Sequence, residues 1–175
     1  MNYAALIISI LALSFTIFSF WWMNWRTGRL RVGMPRSYAA FASANSLILE
    51  FPLVFFNDGP TPIVVENLRV IILDEALAKP LSFTATVGKL GTDQNRALAT
   101  QFPVKGREAL LLICEFQRRS GNFTFEARGY KIDLQARLGG DGQWQSICRF
   151  PLDVTSQDLP ALDQQFIAHD NMPED

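Results

Sequence analysis

The sequence predicts a mainly β protein: an antiparallel β-sandwich carried behind a single N-terminal transmembrane helix. Three features lead there. An uncharged apolar run opens the chain, the hydrophobic period changes to two after Gly28, and turn-forming residues recur between apolar segments with no long amphipathic helical pattern among them. Hydrophobic residues make up 49% of the chain and Phe alone occurs 14 times, enough for a packed core and too much for wholesale disorder. The roughly 150 residues beyond the helix suit one domain.

From Tyr3 to Met23 the chain carries no charge. As a helix this run spans about 30 Å, the thickness of a bilayer hydrocarbon core. Its polar members are Ser9, Ser14, Thr16 and Ser19, whose hydroxyls can bond back to the preceding turn. Trp21, Trp22 and Trp25 gather at one end and Tyr3 stands at the other, as an aromatic belt at the membrane interface requires. A cleaved signal peptide fits less well. No basic residue precedes the run, the run is long, and bulky Trp-Trp-Met-Asn-Trp stands where small residues mark a cleavage site. Residues 1–25 are therefore read as the anchor, and 26–36 as a basic juxtamembrane segment and first strand.

Arg26, Arg29, Arg31 and Arg36 lie in that segment, and no Asp or Glu occurs before Glu50. The anchor places Arg26, Arg29 and Arg31 near lipid headgroups, where contact with anionic lipid is expected to contribute about 1 kcal/mol each. By the positive-inside bias the same bases predict an external N-terminus and a cytoplasmic domain, in an inner or cell membrane.

Residues 37–154 read as strands. In Leu47–Phe56 the residues Leu47, Leu49, Phe51, Leu53 and Phe55 share one face, and Asn57-Asp58-Gly59-Pro60 ends the run with turn chemistry. Ile63 to Leu73 follows as a long β-branched strand. Leu81, Phe83, Ala85 and Val87 alternate with Ser82, Thr84 and Thr86, the pattern of a half-buried strand. Ala109 to Phe116 is nearly all apolar and reads as a central strand buried on both faces. Phe123, Phe125 and Ala127 hold one phase and Tyr130 to Leu138 the other, so Gly129 marks a bulge or bend. Gly139-Gly140-Asp141-Gly142 closes a hairpin, after which Trp144, Cys148, Phe150, Leu152 and Val154 are expected to face inward. The apolar strand, Asn-Asp-Gly-Pro and β-branched strand of residues 47–73 resemble bacterial immunoglobulin-like modules. That resemblance implies a seven- or eight-stranded immunoglobulin-like sandwich and, being one of fold alone, no particular function.

Chemistry is hard to assemble from these residues. Cys114 and Cys148 both fall on inward phases; in a reducing compartment they are two buried thiols, and an exported domain would pair them. Two Cys without clustered His make no metal-ligand set. The one His, His169, lies in the tail beside Asp170 and is expected to be solvated. No Gly-x-Ser-x-Gly elbow occurs, and the Gly-rich segment sits at a hairpin instead of between a strand and a helix, so no phosphate cradle is indicated. Asn122-Phe123-Thr124 is a formal glycosylation sequon at a strand start, and Arg118-Arg119 reads as a solvated loop. No cofactor and no nucleic-acid partner is expected, and the formal net charge is −1.

After Arg149 the chain has no Lys or Arg and carries Asp153, Asp158, Asp163, Asp170, Glu174 and Asp175. Residues 155–175 read as an acidic tail. Pro160 in a first helical turn would put Leu159, Leu162 and Phe166 on one face, a candidate partner contact. With an anchor, a basic collar and an acidic tail, the expected function is that of a non-enzymatic accessory or assembly subunit of a larger membrane complex. A membrane-tethered domain that senses a ligand or binds a substrate is the alternative.

Overall fold

A computed structural model describes residues 3–43, 45–75, 79–119, 123–140, 142–162 and 164–171. The first element, α1, is Tyr3–Asn24, a 22-residue helix with mean hydropathy 2.2 and no buried residue. It is long and apolar enough to cross a bilayer. Ser9 and Thr16 donate to the Ala5 and Ala12 carbonyls at 2.8 and 2.9 Å, so their hydroxyls are satisfied inside the helix.

Beyond it lie β1 (Leu30–Val32), β2 (Ser37–Ala42), β3 (Leu47–Asn57), β4 (Ile63–Ile72), β5 (Leu81–Val87), β6 (Ala97–Leu98), β7 (Phe102–Val104), β8 (Ala109–Arg118), β9 (Gly129–Leu138) and β10 (Trp144–Asp153). A single helical turn, α2 (Leu159–Leu162), and a last strand, β11 (Ile167–Asp170), complete the chain. All strand pairs are antiparallel and form one sheet in the order β10-β9-β4-β5-β8-β3-β2-β11, with β1 on β3, β6 on β5 and β7 on β4. The sheet curls into a half-barrel. Where the sequence predicts two facing sheets, the ladders run without a break. β4 and β5 pair at only Arg69↔Ser82 and Val70↔Leu81, so the sheet turns a corner there, and its curl brings the two inner faces together.

The inner face carries the predicted alternation. Leu47, Leu49, Phe51, Leu53 and Phe55 of β3 are fully buried, as are Ile132, Leu134 and Ala136 of β9, with Tyr130 nearly so. Phe51 sits at the centre, edge-on to Phe150 at 5.2 Å and tilted against Phe116 at 6.3 Å. Three segments depart from the reading. The register of β10 shifts between Ser146 and Cys148. The extra residue reverses the phase, so Trp144 pairs with Arg137 on the outer face while Cys148, Phe150 and Leu152 stay inside. The segment 123–128 is not a strand. Phe123 and Phe125 fold back edge-to-face at 5.0 Å, and Phe125 packs on Tyr130 at 5.8 Å. β8 is central but not covered throughout, since Leu111 is 62% exposed.

Residues 155–162 and 164–171 are tied to the same core. β11 pairs with β2 from Ile167↔Ala40 to Asp170↔Ser37. Leu162 is fully buried, and Leu159 packs against the core. Asn171 ties the edge down: its amide donates to the Pro35 and Pro151 carbonyls, both at 3.0 Å, and its oxygen accepts from the Asp153 N–H at 3.0 Å. Leu162→Ala is expected to cost about 2–4 kcal/mol in urea unfolding, the range for emptying a buried leucine site. A change within error would show that α2 is not part of the cooperative unit.

Both cysteines are free thiols, Cys114 buried and Cys148 half-buried. Burial pushes Cys114 up to about 12. Burial, then the nearby Asp133 carboxylate, raises Cys148. Two equivalents of a thiol reagent are expected to react after denaturation without reductant, and Cys114 is expected to be silent in the native protein. Labelling that needs reductant would show a disulfide.

Candidate functional site

Two places in the fold hold more polar and backbone complementarity than the sheet needs. The first is the junction between α1 and the sheet. Three segments meet: residues 26–31 after the helix, the turn 57–61 after β3, and the turn 104–108 before β8. Asn57 is fully buried; its amide donates to the Thr61 carbonyl at 2.7 Å and the Val104 carbonyl at 3.2 Å, while its oxygen accepts from the Gly59 N–H at 3.0 Å. Gly28 and Gly59 lie backbone against backbone, and a Cβ on either would overlap the other's main chain. Gly106 faces the Pro60 carbonyl in the same way. Arg107, in the left-handed region at φ 58°, donates its N–H to the Asn57 and Gly59 carbonyls at 3.0 and 2.9 Å.

The basic collar is built into this junction. The Arg29 N–H donates to the Asp58 carboxylate at 2.7 Å, Arg26 Nη2 donates to the Asp58 carbonyl at 2.8 Å, and Arg31 Nε stands 3.6 Å from Asp58 Oδ2. The Arg29 N–H first, then the Arg26 and Arg31 guanidiniums, hold the Asp58 carboxyl below its usual range against the opposing effect of desolvation. Arg26 also covers Trp22 at 4.6 Å, and Arg107 Nη2 donates to the Met23 carbonyl at 3.1 Å in the last turn of α1. Arg26 is therefore committed to the protein, while the Arg31 side chain remains 72% exposed. Tyr3, Trp21, Trp22 and Trp25 are all exposed, at the two ends of the helix.

The second place is on the outer face of β3 and β8, where Glu50 and Glu115 are direct cross-strand partners. They are 1% and 3% exposed. Each is the one charged residue in an otherwise apolar run, Leu47–Phe56 and Ala109–Phe116, which was the sequence signal for them; that they pair is a matter of register. Glu115 is fully served. Arg96 donates Nη2 to Oε1 at 2.6 Å and Nε to Oε2 at 3.2 Å, and Thr84 and Gln117 both donate to Oε1 at 2.7 Å. Burial opposes its charge, but these donors outweigh burial and Glu115 lies below the usual carboxylate range. Glu50 receives only the Gly91 N–H, at 2.8 Å on Oε2, and its buried Oε1 has no partner. Burial, aided by the charge of Glu115, pushes Glu50 up to about 7 in spite of the Gly91 bond.

Residues 88–96 strap over this pair. Gly91, at φ 70°, passes so close to Ile167 and Ala168 that a Cβ there would press on the β11 backbone. Beside the strap opens a cleft of about 330 Å³, walled by Phe41, Ile48 and Phe166 and edged by Asp93, Arg96, Glu115 and Gln117. The oxygens of Glu115 are consumed within the sheet and Glu50 is sealed beneath the strap, so the pair stores charge behind the cleft and presents no free acid and base to it. Of the three apolar tail residues, Phe166 faces this cleft while Leu159 and Leu162 turn into the core.

His169 is not solvated. Its side chain is 7% exposed, stacks on Tyr38 at 5.3 Å and bonds the Asp158 carboxylate through Nδ1 at 2.8 Å, because β11 carries it onto β2. Arg118 likewise ends β8 in a 2.5 Å pair with Glu75 and donates to the Lys79 carbonyl at 2.6 Å; Arg119 is exposed. Asn122 lies outside the described residues. No group of three or more His, Cys, Asp or Glu suited to a metal ion occurs among the described residues.

No protein-family model matches the chain, and no curated protein does. Among solved structures it is similar to a protein from Archaeoglobus fulgidus at 9% identity and a TM-score of 0.38, over 75% of this chain and 98% of that one.

Proposed function

We propose that this chain is a non-enzymatic, membrane-anchored accessory subunit that holds a β half-barrel at a fixed position on the cytoplasmic face of a larger membrane complex. The junction is the observation that carries this reading. A helix with no buried residue passes into the sheet through five residues, 25–29, that are held by backbone-to-backbone packing at Gly28 and Gly59 and by the Arg26–Asp58 contact. A tethered catalyst gains reach from a loose linker. A part that must meet neighbouring subunits gains from a fixed height and heading, because fewer degrees of freedom are lost on assembly.

Insertion of six Gly and Ser residues between Thr27 and Gly28 tests the reading. Purified in mild detergent, the unaltered chain is expected to co-purify with partners and to run on native gels as a large species, and the insertion variant as a smaller one with its β-sheet circular dichroism intact. A parent chain that runs alone would sink the proposal. Reporter fusions at both ends test topology: an active periplasmic reporter at the C-terminus would reverse the cytoplasmic placement. The cleft beside Glu115 favours a second reading, a tethered domain that binds a small amphipathic ligand between Phe41, Ile48 and Phe166. A thermal-shift screen with Phe166→Ala as the control separates the two.

A further inference from the structure

The outer face of a sheet ordinarily meets water with polar side chains. On β4, β9 and β10 this one does: Arg69, Asp133, Gln135, Arg137, Ser146 and Arg149 interlock there through hydrogen bonds and ion pairs. The outer face of β3 and β8 does not. Val54 stands directly opposite Leu111, and Phe56 opposite Ala109. On the other side of β3, Arg31 is the partner of Phe56, and the Gly33 N–H donates to the Val54 carbonyl. Phe56 and Val54 are 41% and 42% exposed and Leu111 62%. Cross-strand partners lie about 5 Å apart, so these side chains form one continuous apolar patch.

The patch begins at the junction. Phe56 precedes Asn57 by one residue and Val54 by three, roughly 3 and 10 Å along the strand. Across the junction, Arg107 holds the Met23 carbonyl at the end of α1. The layer of headgroups outside the hydrocarbon core is about 5–8 Å deep on each side. The surrounding charge is mainly basic: Arg26, Arg29, Arg31, Lys105 and Arg107 against Asp58 and Glu108. Farther along the same face the corresponding positions, Glu50 and Glu115, are covered by the 88–96 strap. Only the stretch nearest the helix is apolar and bare.

From this continuity and charge we infer that the Phe56–Val54–Leu111 face is a second membrane contact, lying in the headgroup layer of an anionic lipid surface. The half-barrel then leans on the bilayer along β3 and β8 instead of standing upright on its helix. The inference rests on the membrane-anchor reading above, adding a contact that the helix does not make.

The test uses the full chain with Cys148→Ala, reconstituted without partners into phosphatidylcholine vesicles containing phosphatidylglycerol. Single nitroxide labels are placed at Ile10→Cys, Val54→Cys, Leu111→Cys and Leu73→Cys. Leu73 is exposed at the far end of β4 and serves as the aqueous control. Collision with oxygen, which concentrates in lipid, is compared with collision with a water-soluble nickel chelate. At Ile10, Val54 and Leu111 oxygen is expected to exceed nickel several-fold, with the ratio inverted at Leu73, and the Val54 and Leu111 ratios are expected to fall when phosphatidylglycerol is omitted. Val54 and Leu111 labels that behave like Leu73, while Ile10 remains in lipid, overturn the inference and leave the anchor standing. A water-accessible Ile10 overturns both. Labels at Leu111 shielded from both reagents and broadened by a second nitroxide would show that another copy of the chain covers the face, which also overturns it.

Discussion

Gly59→Ala is expected to lower the unfolding free energy by more than about 3 kcal/mol, at the destabilising end of single substitutions. The new methyl would overlap the Gly28 N and Cα, and both neighbours are main chain, so no side-chain rotation relieves the clash. Backbone displacement there would also strain the Gly59 N–H bond to Asn57 and the Arg107 N–H bond to the Gly59 carbonyl, both in the buried heart of the junction. Gly28→Ala meets the same contact from the opposite side. Because the two substitutions break one interface, the double variant is expected to lose little more than either alone. Gly33→Ala is the control: its new methyl finds Val54 Cβ at 4.0 Å and nothing closer, so it should stay within about 0.5 kcal/mol. Urea unfolding in detergent measures all four. A Gly59→Ala curve superimposed on the parent would mean that the helix and sheet are joined loosely.

Raising the pH from 5 to 8 is expected to remove roughly 2 to 3 kcal/mol of stability through Glu50 alone. Its carboxyl shifts from an ordinary 4.5 to about 7 on folding, driven first by burial. Between these values the folded chain holds a proton that the unfolded chain has released, so stability falls as pH rises. The contribution is complete below about 4.5 and gone once pH has passed 7. Glu115, Asp58, Asp133 and Asp158 are shifted the opposite way; what they contribute is lost on acidification through their depressed values. The two effects together place maximum stability in the mildly acidic range. Glu50→Gln removes the ionisation while keeping the shape. Its unfolding free energy should be nearly level from pH 5 to 8 and exceed the parent's at pH 8. If parent and variant keep the same slope across that range, Glu50 does not titrate beneath the strap.

The inner face of the sheet was legible because period-two alternation is a local property: Leu47 to Phe55 and Tyr130 to Ala136 needed only a side of the strand to be assigned. What the strands face is not local. Alternation is equally consistent with two sheets or one curled sheet, and the difference rests on two residue pairs between β4 and β5. A single extra residue near Ile147 was enough to put Trp144 on the outside, and no residue type announced it. The aromatic run Phe123–Phe125 looked like a strand, yet its rings find one another and Tyr130 without a ladder. His169 read as solvated because it lies in an acidic tail, but Leu162 and the three side-chain bonds of Asn171 fix the described part of that tail to the sheet. Glu50 and Glu115 are lone charges in apolar runs, a signal that the alternation pattern passed over, and their significance appeared only when register made them neighbours. Gly28, Gly59 and Gly106 are ordinary turn residues until the chain brings them together.

The register shift in β10 has a consequence beyond the placement of Trp144. Among the described residues β10 pairs only with β9, so its outer edge joins no further ladder, although Asn171 takes the Pro151 carbonyl and the Asp153 N–H at its end. In the membrane-anchored arrangement proposed above that edge is a hazard, since every copy points the same way and diffuses in two dimensions, so edges meet far more often than in free solution. A straight edge would template its neighbour, strand upon strand. The irregularity between Ser146 and Cys148 bends the edge out of register with any copy of itself, and Pro151 removes one of the donors such a pairing would need. The same misfit that hid Trp144 from the sequence pattern also spoils the edge as a template for a second copy of the chain.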